Sequence, residues 1–141
     1  MPRYFDLQHT VLVVVGHGIL PEEEDRPLAY DLKREITARA NGSDLRTAVV
    51  VTDVWLMNQE LGDFFPAITI GGPAVNAFTE QIYADLPVVV AREQEVFVQM
   101  ADEGKRAALW GMDQASTKEA VETFVRNGLL ERFLNLAWKR E

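Results

Sequence analysis

Apolar residues along this chain fall into two kinds of pattern: short unbroken runs, and longer stretches where they recur every third or fourth position. Val11 to Val15 is an unbroken run stopped by Gly16-His17-Gly18, and Thr47 to Thr52 repeats that composition and delivers Asp53 at its end. Runs of this kind predict strands covered on both faces, as in parallel, helix-covered sheets. Ala67 to Ile70 predicts a third strand, which meets a corner at Gly71-Gly72-Pro73.

Between the first two runs, Leu28, Leu32, Ile36 and Ala40 recur every four residues. This spacing predicts a helix capped by Asp25 and running through Ala40, with Asn41-Gly42 as its stop. From Pro73 a second helix is expected to about Ala84, burying Val75, Phe78 and Ile82, with Asp85-Leu86-Pro87 ending it. Pro87 then opens a strand from Val88 to Ala91, where its missing amide need not join the ladder. Glu95 to Met100 and Lys105 to Trp110 predict a hairpin around Ala101-Asp102-Glu103-Gly104. The connection from Val54 through Phe64-Phe65-Pro66 reads as irregular.

The final segment opens on Ser116-Thr117-Lys118-Glu119, a capping box that starts a helix at Thr117. Its apolar positions, from Ala120 to Trp138, form a stripe too broad for one contact with a sheet, and Asn127-Gly128 splits or kinks it. A second subunit is the expected cover, so the chain is expected to form a homo-oligomer through this C-terminal helical segment. The elements together predict an α/β fold: a three-layer sandwich with a mostly parallel sheet, a β-hairpin near one edge and a long C-terminal helical segment.

The chain has 141 residues, 48% of them hydrophobic, which suffices for one substantial core; a single domain over 1–141 is expected because no linker-like stretch divides it. Zero cysteines exclude disulfides and thiol chemistry and suit a cytoplasmic location. Met1 to Gln8 lacks a basic-then-apolar leader pattern, and no apolar run is long enough to span a bilayer, so no membrane partner is expected. A net charge of -8 and dispersed basic residues argue against nucleic acid. Glu22-Glu23-Glu24-Asp25 reads as a solvated acidic turn favouring the helix that follows, with a cation site as the lesser alternative.

Right-handed crossovers bring the exits of the parallel strands to one edge of the sheet. Gly16-His17-Gly18, Asp53, Gly71-Gly72 and Asp113 are expected along it. His17, Asp53 and Asp113 are the candidate catalytic residues: an imidazole as acid or base, and a carboxylate to orient it. Gly16, His17, Gly18, Gly71, Gly72 and Asn76 are the candidate ligand contacts. Each has a structural reading beside it. The glycine corner serves a sharp turn or an anion, His17 bonds a neighbouring loop or a substrate, and Asn76 holds that loop or a ligand. His9 reads as ordinary surface.

No metal is expected, because two histidines without ligand spacing make no recognisable site. No cofactor is expected either: the corner lacks a Walker lysine and the three-glycine dinucleotide spacing, and Pro73 removes an amide. Ser43 and Ser116, the only serines, sit in no nucleophile elbow. Of the three tryptophans, Trp110 and Trp138 read as core or interface, and Trp55 as the one near the candidate edge.

From Ala67 to about Phe124 the chain resembles the outer domain of the archaeal S-layer-like family. The resemblance rests on Ile70-Gly71-Gly72-Pro73-Ala74-Val75-Asn76, then Phe97-Val98-Gln99-Met100, Lys105 to Gly111, and Thr117 before Ala120-Val121. It departs from that family's pattern at Trp110-Gly111-Met112-Asp113. The resemblance implies a non-catalytic role in module contacts, with the corner serving the fold. The expected function is therefore a small soluble α/β binding or assembly module. The alternatives are a small-molecule hydrolase or transferase using His17 with Asp53 or Asp113, and anion or nucleotide binding at Gly71-Gly72.

Overall fold

In the computed structural model, residues 9–40, 42, 46–59 and 64–139 are described. Expectations placed on Met1 to Gln8, Asn41 and Ser43, and on residues 60–63 of the irregular connection, lie outside them. Six strands form one sheet: β1 (Thr10–Val15), β2 (Thr47–Thr52), β3 (Ala67–Ile70), β4 (Val88–Arg92), β5 (Val96–Met100) and β6 (Arg106–Gly111), in the order β2-β1-β3-β6-β5-β4. The pairs β1/β2, β1/β3 and β3/β6 are parallel, whereas β5 runs antiparallel to both neighbours. The α/β class, the mostly parallel sheet and the antiparallel β5–β6 hairpin are thus as expected.

Strand alternation divides the core. Val11, Val13 and Val15 of β1 face one layer, made by α1 (Arg26–Ala38), α4 (Gln114–Arg126) and α5 (Leu129–Ala137). Leu12 and Val14 face the other, where α2 (Asp53–Met57) and α3 (Ala77–Ile82) supply Leu56 and Phe78 beside Phe65. With every residue of β1 buried, its unbroken run has the predicted cause: helices cover both faces. β2 has the same composition yet is only half-buried, because it is an edge strand.

Two helix starts differ from expectation. Asp25 does not cap α1; a five-residue π-helical turn, Pro21–Asp25, runs into α1 without a side-chain cap, and Asp25 turns inward and is buried. At the C-terminal end, α4 begins at Gln114 rather than Thr117. Asp113 Oδ1 accepts from the Ser116 amide, and Thr117 Oγ1 donates to the Asp113 carbonyl while accepting from the Gly111 amide. A shorter Asx cap placed three residues earlier prevails over the capping box.

The helix expected from Pro73 starts only at Ala77. Residues 73–75 form a turn, Asn76 is the cap, and Val75 is exposed rather than buried. Asn127 and Gly128 do separate two helices, with Gly128 left-handed at φ +80°. Leu130, Phe133, Leu134 and Trp138 of the C-terminal stripe are all buried within this one chain, and the Trp138 indole donates to the His9 carbonyl at 2.9 Å. The breadth of the stripe is accounted for by α5 packing back over the sheet beside α4, so it supplies no argument for a second subunit.

Candidate functional site

The register of the central strands builds the site. Val15 of β1 lies opposite both Thr52 of β2 and Ile70 of β3, so His17, Asp53 and Gly71 leave the sheet at the same edge. Thr52 accepts the Trp55 amide through its hydroxyl and starts α2 immediately, which fixes Asp53 in the first turn at the sheet's rim.

Asp53 is fully buried, and three N–H groups converge on it. Oδ1 accepts from the His17 ring nitrogen Nδ1 at 2.9 Å and from the Val54 amide at 2.7 Å; Oδ2 accepts from the Ala77 amide at 2.7 Å. With the carboxylate an acceptor on both oxygens, Nδ1 carries the ring proton and Nε2 is the basic nitrogen. The imidazole is held at one end by a buried carboxylate, while its side chain is 63% exposed.

His17 and Asp53 line a cleft of about 610 Å³ together with Ile19, Leu20, Val75 and Glu80. Ala77 and Glu80, three residues apart, share the α3 face that lines it. Ile19 and Leu20 are 78% and 55% exposed, an apolar lip at the mouth. No serine, threonine, lysine or arginine lines this cleft among the described residues.

The other candidate residues divide into supports and bystanders. Asn76 also borders the cleft, but its side chain is committed to the fold: Oδ1 accepts the Phe78 and Thr79 amides, and Nδ2 donates to the Val14 and Ile70 carbonyls. It ties β1, β3 and α3 together, which is the loop-holding role weighed for it. Gly16 is buried against the corner, where an added Cβ would lie 1.9 Å from the Val75 carbonyl oxygen. Gly71 has φ +104°, and an added Cβ would lie 2.6 Å from Asp25 Oδ2. Gly72 packs on the Trp110 ring, and Gly18 is exposed with its carbonyl accepting the Glu22 amide. Gly16, Gly18, Gly71, Gly72 and Asp113 do not line the cleft that holds His17.

The corner's amides are largely used within the fold. Gly71 donates to Leu109, and both Val75 and Asn76 donate to Gly72. Asp113 is an exposed cap, its carboxyl held below the usual range by the Ser116 amide. Trp55 lines a separate groove beside β2 with Arg26 and Phe65. Among the described residues no group of three or more histidine, aspartate or glutamate side chains is arranged to hold a metal, and no helix is long and apolar enough to cross a membrane.

Sequence reasoning missed Glu80 and Asp25. Glu80 was legible only once Asn76 was known as the cap, since that sets which face of α3 meets the cleft. Asp25 was read as a helix cap at the end of an acidic run; nothing local marks its carboxyl, rather than those of its three exposed or half-exposed neighbours, as the one turned inward. Burial, and secondarily the charge of Glu24, pushes its pKa up to about 6. No protein-family model and no curated protein matches the chain.

Proposed function

We propose that this protein is an enzyme of the general acid–base type, catalysing hydrolysis or group transfer on a small molecule held in the His17 cleft. The observation that carries this reading is the 2.9 Å contact from His17 Nδ1 to a fully buried Asp53 in the lining of a cleft. A carboxylate behind an imidazole selects one tautomer and stabilises the imidazolium formed when Nε2 takes a proton. Because no hydroxyl or thiol side chain lines the cleft among the described residues, the group assigned to Nε2 for deprotonation is water or a co-substrate. In this scheme His17 is the catalytic base, and Asp53 is a positioning residue.

Turnover of a panel of small activated esters and amides tests the reading. His17→Ala is expected to reduce kcat/KM by 100-fold or more, in the range for loss of a positioned base. Asp53→Asn is expected to lower kcat with little change in KM and to shift the pH profile. Equal turnover in the wild type and His17→Ala would overturn the proposal.

The competing reading is a non-catalytic binding module, which rests on the S-layer-like order of features between residues 67 and 124. Its self-association arm loses its motivation with the burial of the C-terminal stripe, leaving ligand binding in the same cleft. A compound that perturbs the His17 ring signals and is recovered chemically unchanged after prolonged incubation favours that reading.

A further inference from the structure

The sheet edge where parallel strands end commonly receives phosphates and other anions, through free amides at helix N-termini and nearby basic side chains. Here both provisions are withdrawn. The Ala77 amide is taken by Asp53, the Phe78 and Thr79 amides by Asn76, and the Glu80 amide by the Asn76 carbonyl. No lysine or arginine lines the cleft among its described residues. What it presents instead is an acceptor: the exposed Glu80 carboxylate on the α3 wall.

The segment that forms the lip reinforces this polarity. Ile19, Leu20 and Pro21 line the cleft, and the same chain continues into Glu22, Glu23 and Glu24. The nearest basic residue on that turn, Arg26, is bonded to Glu22 at 2.9 Å. The overall charge of -8 adds a diffuse field of the same sign. An apolar lip, a basic imidazole nitrogen and one exposed carboxylate together suit a molecule with an apolar body and a positively charged, hydrogen-bond-donating end.

Resting on the reading of this cleft as the site, we infer that its ligand is a small amphipathic amine, with the ammonium directed at Glu80 and the hydrocarbon against Ile19, Leu20 and Val75. The His17 imidazole is then the base available to such a ligand.

The test uses the folded chain and three four-carbon probes: n-butylamine, butyrate and butyl phosphate. Two-dimensional NMR follows the His17 ring and the Ala77 and Glu80 amides. The amine is expected to give saturable shifts, weakened at least 10-fold by Glu80→Gln, and by added salt. The two anions are expected to give none. Saturable binding of butyrate or butyl phosphate, an amine affinity unchanged in Glu80→Gln, or no response to any probe overturns the inference. The acid–base proposal is judged separately by the His17→Ala turnover comparison: loss of turnover there with no amine binding here rejects the ligand class alone.

Discussion

His17 and Asp53, 36 positions apart in the chain, meet with Nδ1 and Oδ1 2.9 Å apart because β1 and β2 are parallel neighbours in a register that pairs Val15 with Thr52. One residue beyond Thr52 and two beyond Val15, the strands have ended and their side chains are free to converge. The carboxylate of this pair also receives the Val54 and Ala77 amides, so it joins α2 and α3 as well as orienting the ring. Asp53 is therefore a structural junction as well as the anchor of the His17 ring.

Replacing Asp53 by asparagine leaves the shape intact but puts an NH2 group where three N–H donors converge. At least one of these donors then loses its acceptor in a buried site, at a cost of about 1–3 kcal/mol. Urea denaturation should report that loss. His17→Ala, at an exposed ring, should cost much less. A destabilisation by Asp53→Asn no larger than that of His17→Ala would mean the carboxylate does not bind the two amides.

Asp25 sets a pH dependence of stability. Its folded value of about 6 lies above the ordinary 3.8, so below about pH 4 the carboxyl is neutral whether folded or unfolded and nothing is lost. As the pH rises from 4 to 6 the unfolded chain releases its proton while the folded chain retains it, and stability falls; above 6 the penalty is constant. Asp25→Asn should remove this decline. Relative to the wild type, the variant should gain on the order of 1 kcal/mol between pH 4 and 7, allowing for solvent screening, or about 3 °C in Tm. Parallel pH–stability curves for the two proteins would refute it.

Gly16→Ala should be among the most damaging single-methyl changes in this chain. The new methyl would sit 1.9 Å from the Val75 carbonyl oxygen, with Pro21 Cγ at 3.0 Å on another side, so neither backbone nor ring can yield cheaply. A loss of about 2 kcal/mol or more is expected. The urea midpoint measures it. Gly18→Ala is the control for backbone strain alone, since nothing lies within 4 Å of its added Cβ.

Asn76→Ala removes the α3 cap and the partners of two buried carbonyls together, for a combined loss of about 2 kcal/mol or more. Asp113 also caps a helix, but from the exposed surface, and Asp113→Ala should lower Tm far less and leave turnover unchanged. If Asp113→Ala abolished turnover, the dyad assignment would need Asp113 restored to it.

The strands were legible because burial of a strand on both faces leaves a local record: Val11 to Val15 can be read without knowing what covers it. The same record misled at β2, where Thr47 to Thr52 has the composition of a central strand but occupies an edge. Helix starts were less legible, since Asp113 and Ser116 are both competent caps and the choice depends on where β6 releases the chain. The C-terminal stripe was legible as an apolar helical segment split or kinked at Asn127-Gly128, and its breadth was assigned to a cover outside the chain. Leu130, Phe133, Leu134 and Trp138 are in fact buried by their own chain folding back, as in the Trp138 contact with the His9 carbonyl across 129 positions.

Periodicity, glycine punctuation and charge thus carried the order of strands and helices, the mostly parallel class of the sheet and the edge at which its strands end, because each depends on neighbours within a few residues. Long-range packing chose among chemically equivalent residues at that edge. It turned Asp25 rather than Glu22, Glu23 or Glu24 inward, gave Asn76 to the backbone, left Asp113 as a cap, and paired His17 with Asp53 across the cleft from Glu80. Those choices turn on which strand lies beside which and at what register, and contacts of that range leave no signature in local spacing.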